Sequence, residues 1–260
     1  MGKCKLCGKH GLFVITNKDG YCMSCASINT MIAKRAPERE RLERIKQQKK
    51  EDQWAKICSI PKYNITLSET SQKRQRGFEP PVYSNITPKG NYADVVVFDT
   101  ETTGIAPSSD RIIELAAIRF TDGKPTECFH TYIDPERPIP AEATKVNKIT
   151  DDMVADSPKI GRVIKSFDEF VGSSVLVAHN LEFDLKFIFY SGSHVMETKR
   201  KYIDTLGQAR RIIKKDEVFD YKLESLCDLY FITNARAHSA LSDAEACGEL
   251  FFALVSEVQN

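Results

Sequence analysis

The sequence predicts an α/β protein in which a mixed sheet flanked by helices forms the larger, C-terminal part, behind a small cysteine-rich module. Three observations predict it. Strand-like segments near 94–100, 111–120 and 127–133 follow one another directly, the order of an antiparallel meander. Strands near 174–178 and 201–204 then alternate with helices near 160–171, 181–190, 206–214, 222–230 and 240–257. Ahead of residue 93 the composition changes to paired cysteines, dense charge and then a polar, proline-bearing stretch. The expected units are 1–32, 33–92 and 93–260.

In chain order, Cys4-x-x-Cys7 and Cys22-x-x-Cys25 form the paired knuckles expected of one tetrahedral structural Zn²⁺ site. Leu12–Thr16 followed by Asn17-Lys18-Asp19-Gly20 reads as a hairpin between them, giving a zinc-ribbon or treble-clef-like finger that folds with its metal. Two disulfides are the rival. With no apolar leader ahead of Cys4, a reducing cytoplasmic setting is expected, which favours zinc. Cys58, Cys128, Cys227 and Cys247 lack paired spacing and read as small core or incidental residues.

Residues 33–57 mix opposite charges at helical spacing, Glu40 with Arg44 for example, and read as an exposed helix; Pro37 suits a first turn and would divide it from the finger's own helix. Ser59 to Asn91, rich in Ser, Thr, Asn, Pro and Lys, reads as a flexible linker with short ordered pieces.

The third unit carries the chemistry. Val95-Val96-Val97-Phe98 is an apolar, β-branched run typical of a strand buried on both faces. Side chains alternate along a strand, so Asp99 and Glu101 leave it on the same face, followed by the turn Thr102-Thr103-Gly104. Val175 to Ala178 delivers His179 and Asn180 to a helix start, where Asp184 borders the apolar flank of Phe183, Leu185 and Ile188. Ala240, Ala244, Cys247, Phe251, Leu254 and Val258 mark a last helix at whose start stands Asp243, with His238 on the entering loop. Taken singly, each has a plainer reading as a solvated strand end or a helix cap.

Together they define a different chemistry. Four converging carboxylates raise one another's pKa by repulsion, so they call for cations. Oxygen donors favour two Mg²⁺ or Mn²⁺ ions, which about 3.5–4 Å apart can stabilise the attacking and leaving oxygens of a phosphodiester displacement. His238 is the candidate general base, since imidazole is the side chain that titrates nearest neutrality.

The segments FDTETTG, HNLEFDLKF and HSALSDA, with IIELAAIRF and Ile203-Asp204-Thr205-Leu206 between them, resemble the DEDDh 3′→5′ exonuclease family over residues 93 to about 256. Within it the chain looks most like the proofreading subunit or domain of bacterial replicative DNA polymerases. The resemblance implies a ribonuclease-H-like fold, metal ligation by Asp99, Glu101, Asp184 and Asp243, His238 as base, and contact of the terminal nucleotide by the segment around Thr102 and Thr103, with Asn180 a further candidate. It also implies release of nucleoside 5′-monophosphates from a single-stranded 3′ end. One departure stands out: Asn147-Lys148 occupies the place where relatives often have His-Gly before Ile-Thr, which puts substrate preference in doubt.

Charge is split. Residues 1–90 hold 18 basic and 8 acidic residues and the remainder 19 and 28, so a net charge of +1 conceals halves of +10 and −9. A basic arm beside an acidic catalytic domain is expected to hold a polyanion, DNA with a free 3′ end being favoured and a polymerase or other replication protein the protein partner. Mutual attraction of the halves, or protein binding by the finger, is the rival. No apolar run approaches the ~18 residues that span a bilayer, so a soluble protein with no membrane partner is expected. Three functions stay open: a DNA 3′→5′ exonuclease in proofreading or repair, an exoribonuclease or oligonucleotidase using the same residues, and a catalytically silent nucleic-acid-binding adaptor.

Overall fold

The computed structural model describes residues 23–68 and 77–259, with side chains from residue 40 onward. Two units separate at Lys49/Lys50. Helix α1 (Met23–Cys58) enters the second of them with its last turns. It is one helix, so Pro37 lies in its interior instead of opening a second one. A lost hydrogen bond at proline costs about 3 kcal/mol, and the Ala, Arg, Glu, Lys and Gln on either side favour helix strongly enough to carry it through.

The second unit is built on β1 (Asp94–Thr102), β2 (Ile112–Thr121), β3 (Lys124–Tyr132), helices α2 (Ala141–Asn147), α3 (Asp151–Val154) and α4 (Ile160–Val171), then β4 (Val175–Ala178), α5 (Leu181–Tyr190), β5 (Tyr202–Asp204), α6 (Thr205–Ile212), α7 (Leu223–Leu229) and α8 (Ala240–Gln259). The five strands form one mixed sheet in the order β3-β2-β1-β4-β5. The meander pairs antiparallel, while β1–β4 and β4–β5 are parallel. The short helices α2 and α3 were not legible in the sequence; neither is long enough to show a period.

Strand alternation divides the core into two layers. Val95, Val97, Ala116, Ile118 and Val177 meet Ala240, Ala244, Cys247 and Phe251 of α8. Val96, Phe98, Leu115, Ala117 and Leu176 meet Val163 and Phe167 of α4 and Leu181 and Leu185 of α5. Each fully buried Phe or Leu stabilises this arrangement by about 1.5–3 kcal/mol. On the α8 side the approach is close enough to need glycine: a Cβ on Gly248 would stand 2.2 Å from the Phe120 ring, itself nearly fully buried. Gly248→Ala is therefore expected to destabilise the domain by about 1–3 kcal/mol, a drop in Tm readable by calorimetry. An unchanged Tm would show that the α8–β2 contact yields freely.

The stretch read as a linker is anchored along its described residues. Ile60, Ile86 and Tyr92 are buried in the core. Their spacing follows no helical or strand period, which is why composition hid them. The stretch also covers both sheet edges. Lys62 bridges Cys128 of β3, with the Tyr63 N–H donating to the Cys128 carbonyl at 2.7 Å, and Tyr83 bridges Tyr202 of β5, with the Ser84 N–H donating to the Tyr202 carbonyl at 2.7 Å. Exposed strand edges invite pairing with other chains, and this one segment satisfies part of each. Among the described residues no helix is long and apolar enough to cross a membrane.

Candidate active site

The carboxyl end of β1 collects the chemistry. Asp99 and Glu101 share the parity of Val95 and Val97, so they point to the α8 layer, where Asp243 stands in the first turn of α8. Glu101, His238 and Asp243 each offer a donor atom within 4.8 Å of the others. Asp99 lines the adjoining cleft of about 670 Å³ together with His238, Asp243, Asn180 and Asn234. Asp184 reaches the end of β1 from the opposite layer, buried in the first turn of α5. Its Oδ1 accepts hydrogen bonds from the Thr100 hydroxyl at 2.6 Å and the Thr100 N–H at 3.0 Å. Asp99 and Asp184 thus stand outside the 4.8 Å group and interact with it through charge.

Backbone geometry sets these side chains. In the parallel register Val97 lies opposite Val177, so His179, the first residue after β4, falls level with Asp99 while β1 runs on to Thr102. Asp204 then fastens the corner: its carboxylate accepts from the N–H groups of Asn180 and Leu181 at the start of α5 and of Leu206 and Gly207 at the start of α6. Two helix N-termini share one anion, which suits both their unpaired N–H groups and their dipoles. His238 has φ +65, a left-handed conformation that costs a non-glycine residue about 1–2 kcal/mol. Its N–H donates to Asp243 Oδ2 at 2.9 Å, and the Asn234 amide donates to the other Asp243 oxygen. Asp243 therefore holds the very loop that presents His238.

Electrostatics favour a cation at the cluster. Burial pushes the Asp99 carboxyl well above its ordinary range, and the charges of Asp184, Asp243, Glu101 and Glu114 push the same way. Glu101 is raised to about 8, first by burial and then by Asp243, Glu114 and Asp184, against a lowering hydrogen bond from Asn147. Asp184 is raised to about 7 by burial, opposed by the two Thr100 hydrogen bonds. Asp243 is raised by burial too, opposed by its bonds from Asn234 and His238. Two carboxylates and an imidazole within 4.8 Å of one another, with further raised carboxyls beside them, are a donor set that fits a divalent cation.

A testable consequence concerns stability. A carboxyl whose folded pKa exceeds its unfolded value contributes stability fully below the unfolded pKa and loses it as pH rises through the folded one. For Glu101 that window runs from 4.5 to about 8, and for Asp184 from 3.8 to about 7. The chelator-treated protein should melt lower at pH 8 than at pH 5.5, and Mg²⁺ should raise Tm more at the higher pH. A Mg²⁺ shift that is the same at both pH values would contradict the repulsion.

Several residues that shape the site gave little signal in the sequence. Glu114 is the register partner of Glu101 and is almost wholly buried. It accepts from His130 Nε2 at 2.8 Å and from the Ala240 N–H, the start of α8, at 3.0 Å. Its one clue was a lone carboxylate in the apolar run IIELAAIRF. Thr100 gave none, because strand parity aims it away from Asp99. Asn147 is buried, with Nδ2 3.4 Å from the Thr102 carbonyl, and Lys148 takes the left-handed φ of +63 that ends α2.

The turn residues also resolve. The Thr102 hydroxyl donates to the Gly104 carbonyl at 2.6 Å. The buried Thr103 hydroxyl lies 3.3 Å from Asp110 Oδ1 and accepts from the Arg111 N–H at 3.0 Å. Both hydroxyls build the turn. A Cβ at Gly104 would sit 2.4 Å from the Asp110 carboxylate and would have to displace it from the turn. Asn180 is exposed at φ +65 and lines the cleft. Of the cysteines, Cys4, Cys7, Cys22 and the side chain of Cys25 lie outside the described residues; Cys128, Cys227 and Cys247 are buried free thiols and Cys58 is exposed.

The acids gather at the end of the central strand of a mixed sheet, and the chain belongs to the Exonuclease (RNase_T) family, whose model matches residues 96–251. This exonuclease domain is 39% identical over 167 residues to the PolC-type DNA polymerase III of Latilactobacillus sakei, covering 64% of this chain and 11% of that protein. It is 36% identical over 161 residues to DNA polymerase III subunit epsilon of Treponema pallidum, covering 61% of this chain and 75% of that one. The match therefore spans only a small fraction of the PolC-type relatives. Among solved structures, exonuclease X in complex with 5′ overhanging duplex DNA aligns with a TM-score of 0.50 at 27% identity, covering 62% of this chain and 91% of that one. Exonuclease I shares the fold at a TM-score of 0.54 and 18% identity, over 63% of this chain and 42% of its own.

Proposed function

We propose that this chain is a divalent-metal-dependent 3′→5′ exonuclease of the DEDDh type that releases nucleoside 5′-monophosphates from single-stranded DNA 3′ ends, in proofreading or repair. The carrying observation is the convergence of Glu101, His238 and Asp243 within 4.8 Å, beside the half-buried Asp99 and the buried Asp184, whose carboxyls are both raised. DNA is favoured because the matched relatives are DNA polymerase components and the exonuclease X structure holds duplex DNA. A replicative polymerase is accordingly the proposed protein partner.

Asp99, Glu101, Asp184 and Asp243 would hold two Mg²⁺ or Mn²⁺ ions, which when bound stabilise charge on the attacking and leaving oxygens of the scissile phosphodiester. An imidazole nitrogen of His238 accepts the proton of the attacking water. Asp243 supports that transfer by fixing the loop through the His238 N–H. Arg210 and Lys222, which also line the cleft, supply positive charge for the phosphates of the strand. Asn180 and the backbone around Thr102 and Thr103 are assigned to the terminal nucleotide.

In the N-terminal unit we assign Cys4, Cys7, Cys22 and Cys25 to one structural Zn²⁺ in a finger over 1–32; of the stretch 33–92 expected to connect it to the exonuclease at 93–260, the described residues from Lys50 onward belong to the exonuclease unit. One zinc per chain by elemental analysis is the expected result.

The test of the main reading is product analysis on matched 5′-labelled DNA and RNA strands, with Mg²⁺ and with chelator. A ladder shortening from the 3′ end, faster on DNA and abolished by chelator, is expected. Faster digestion of RNA would move the assignment to an exoribonuclease, and no release from either strand would leave a binding adaptor.

A further inference from the structure

The family match begins at residue 96, yet the end of α1, within the Lys50–Asn260 unit, reaches the loop that carries His238. Trp54 presents its indole face to the Arg236 guanidinium, whose Cζ lies 3.9 Å from the ring centroid. Arg236 is two residues before His238. The helix end is itself fixed on both sides of Trp54: Gln53 Nε2 donates to Glu245 Oε1 of α8 at 2.6 Å, and Ile57 is completely buried in the α8 layer of the core.

The loop has reason to need such a hold. His238 is exposed and in a left-handed conformation, a state that persists only where the surroundings impose it. The loop is tied to α8 by the Arg236 N–H donating to Ser242 Oγ at 2.9 Å and the His238 N–H to Asp243 Oδ2 at 2.9 Å, and upstream by Asn234, whose amide donates to Asp243 and accepts from the Ser242 hydroxyl at 2.8 Å. None of these bonds holds the Arg236 side chain. The Trp54–Arg236 stack secures the loop through a side chain, from an element outside the exonuclease segment, and a cation over an indole face is an attractive pair.

We propose that Trp54 is a positioning residue: by clamping Arg236 it holds the loop in the shape that presents His238 to the acidic site, so the working catalytic unit includes the end of α1. The proposal rests on the hydrolytic reading above. Small displacements of a reacting group are costly to rate and leave substrate binding largely intact.

The test is steady-state kinetics of the full chain on a single-stranded DNA oligonucleotide with Mg²⁺, comparing Trp54→Ala, Trp54→Phe, Arg236→Ala and the Trp54→Ala/Arg236→Ala pair. Both alanine variants are expected to lower kcat by about tenfold with KM within about twofold. Trp54→Phe, which keeps an aromatic face, should stay close to wild type. The double variant should lose no more than either single one, because both remove the same contact. Should Trp54→Ala fail to fold, Arg236→Ala with Trp54→Phe still decides, since each leaves an aromatic ring in place. Wild-type kcat in Arg236→Ala, a rise confined to KM, or losses that multiply in the double variant would overturn the clamp. Absence of nucleotide release by the wild-type chain would instead overturn the nuclease reading.

Discussion

Asp99→Asn is expected to reduce nucleotide release by roughly a thousandfold or more and, in the same protein, to raise the stability of the metal-free fold. The two effects share one cause. Asp99 is surrounded by Asp184, Asp243, Glu101 and Glu114, and with burial they push its carboxyl well above the ordinary range. An amide of the same shape removes one of those charges and so relieves the other four. The catalytic cost follows from the proposed ligand role of Asp99, in which a carboxylate of charge −1 becomes a neutral, weaker donor. Metal stabilisation of a phosphoryl transition state is worth several kcal/mol, and at about 1.4 kcal/mol per tenfold this gives about three orders of magnitude. Rate by product release and Tm in chelator are the two readouts. A variant that is inactive and also less stable would show that Asp99 serves the fold, not the site.

His238→Ala is expected to lower kcat by about 10²–10⁴-fold, the usual contribution of a positioned base, with affinity for single-stranded DNA little changed. His238 is exposed, and its side chain carries no core packing. The loop's remaining ties, from the backbone to Asp243 and Ser242, do not involve the imidazole. The cavity left by truncation opens on the cleft, so added imidazole should restore part of the rate. Full activity in the alanine variant would remove His238 from the mechanism. A loss that follows the concentration of Mg²⁺, and is repaired by raising it, would make the residue a ligand and not the base.

Much of the fold was legible because the core elements follow clean periods. The helices expected at 160–171 and 181–190 run from Ile160 to Val171 and from Leu181 to Tyr190. The three-strand meander and the two later strands pair as a mixed sheet, as their order predicted. Regular alternation also placed Asp99 and Glu101 on one face before any contact was known. The stretch 59–92 was hidden for the opposite reason: Ile60, Ile86 and Tyr92 are buried singly, in irregular backbone, with polar residues between. Pro37 misled because proline favours helix starts in general, whereas here one helix continues through it.

In the site, the acids and His238 were readable as residue types at strand ends and helix starts. Their mutual geometry was not. Glu114 joins Glu101 through strand register, Asp184 turns one oxygen to Thr100 of β1, and Trp54 meets Arg236 from far away in the chain. The face each acid leaves from and the element that carries it are local properties, since backbone periods of 2 and 3.6 residues operate within a few neighbours. How the carboxylates group, which of them hydrogen bonds restrain, and the left-handed conformation of His238 emerge only in the folded chain. These features are set by packing between segments remote in the chain, and no local period records them.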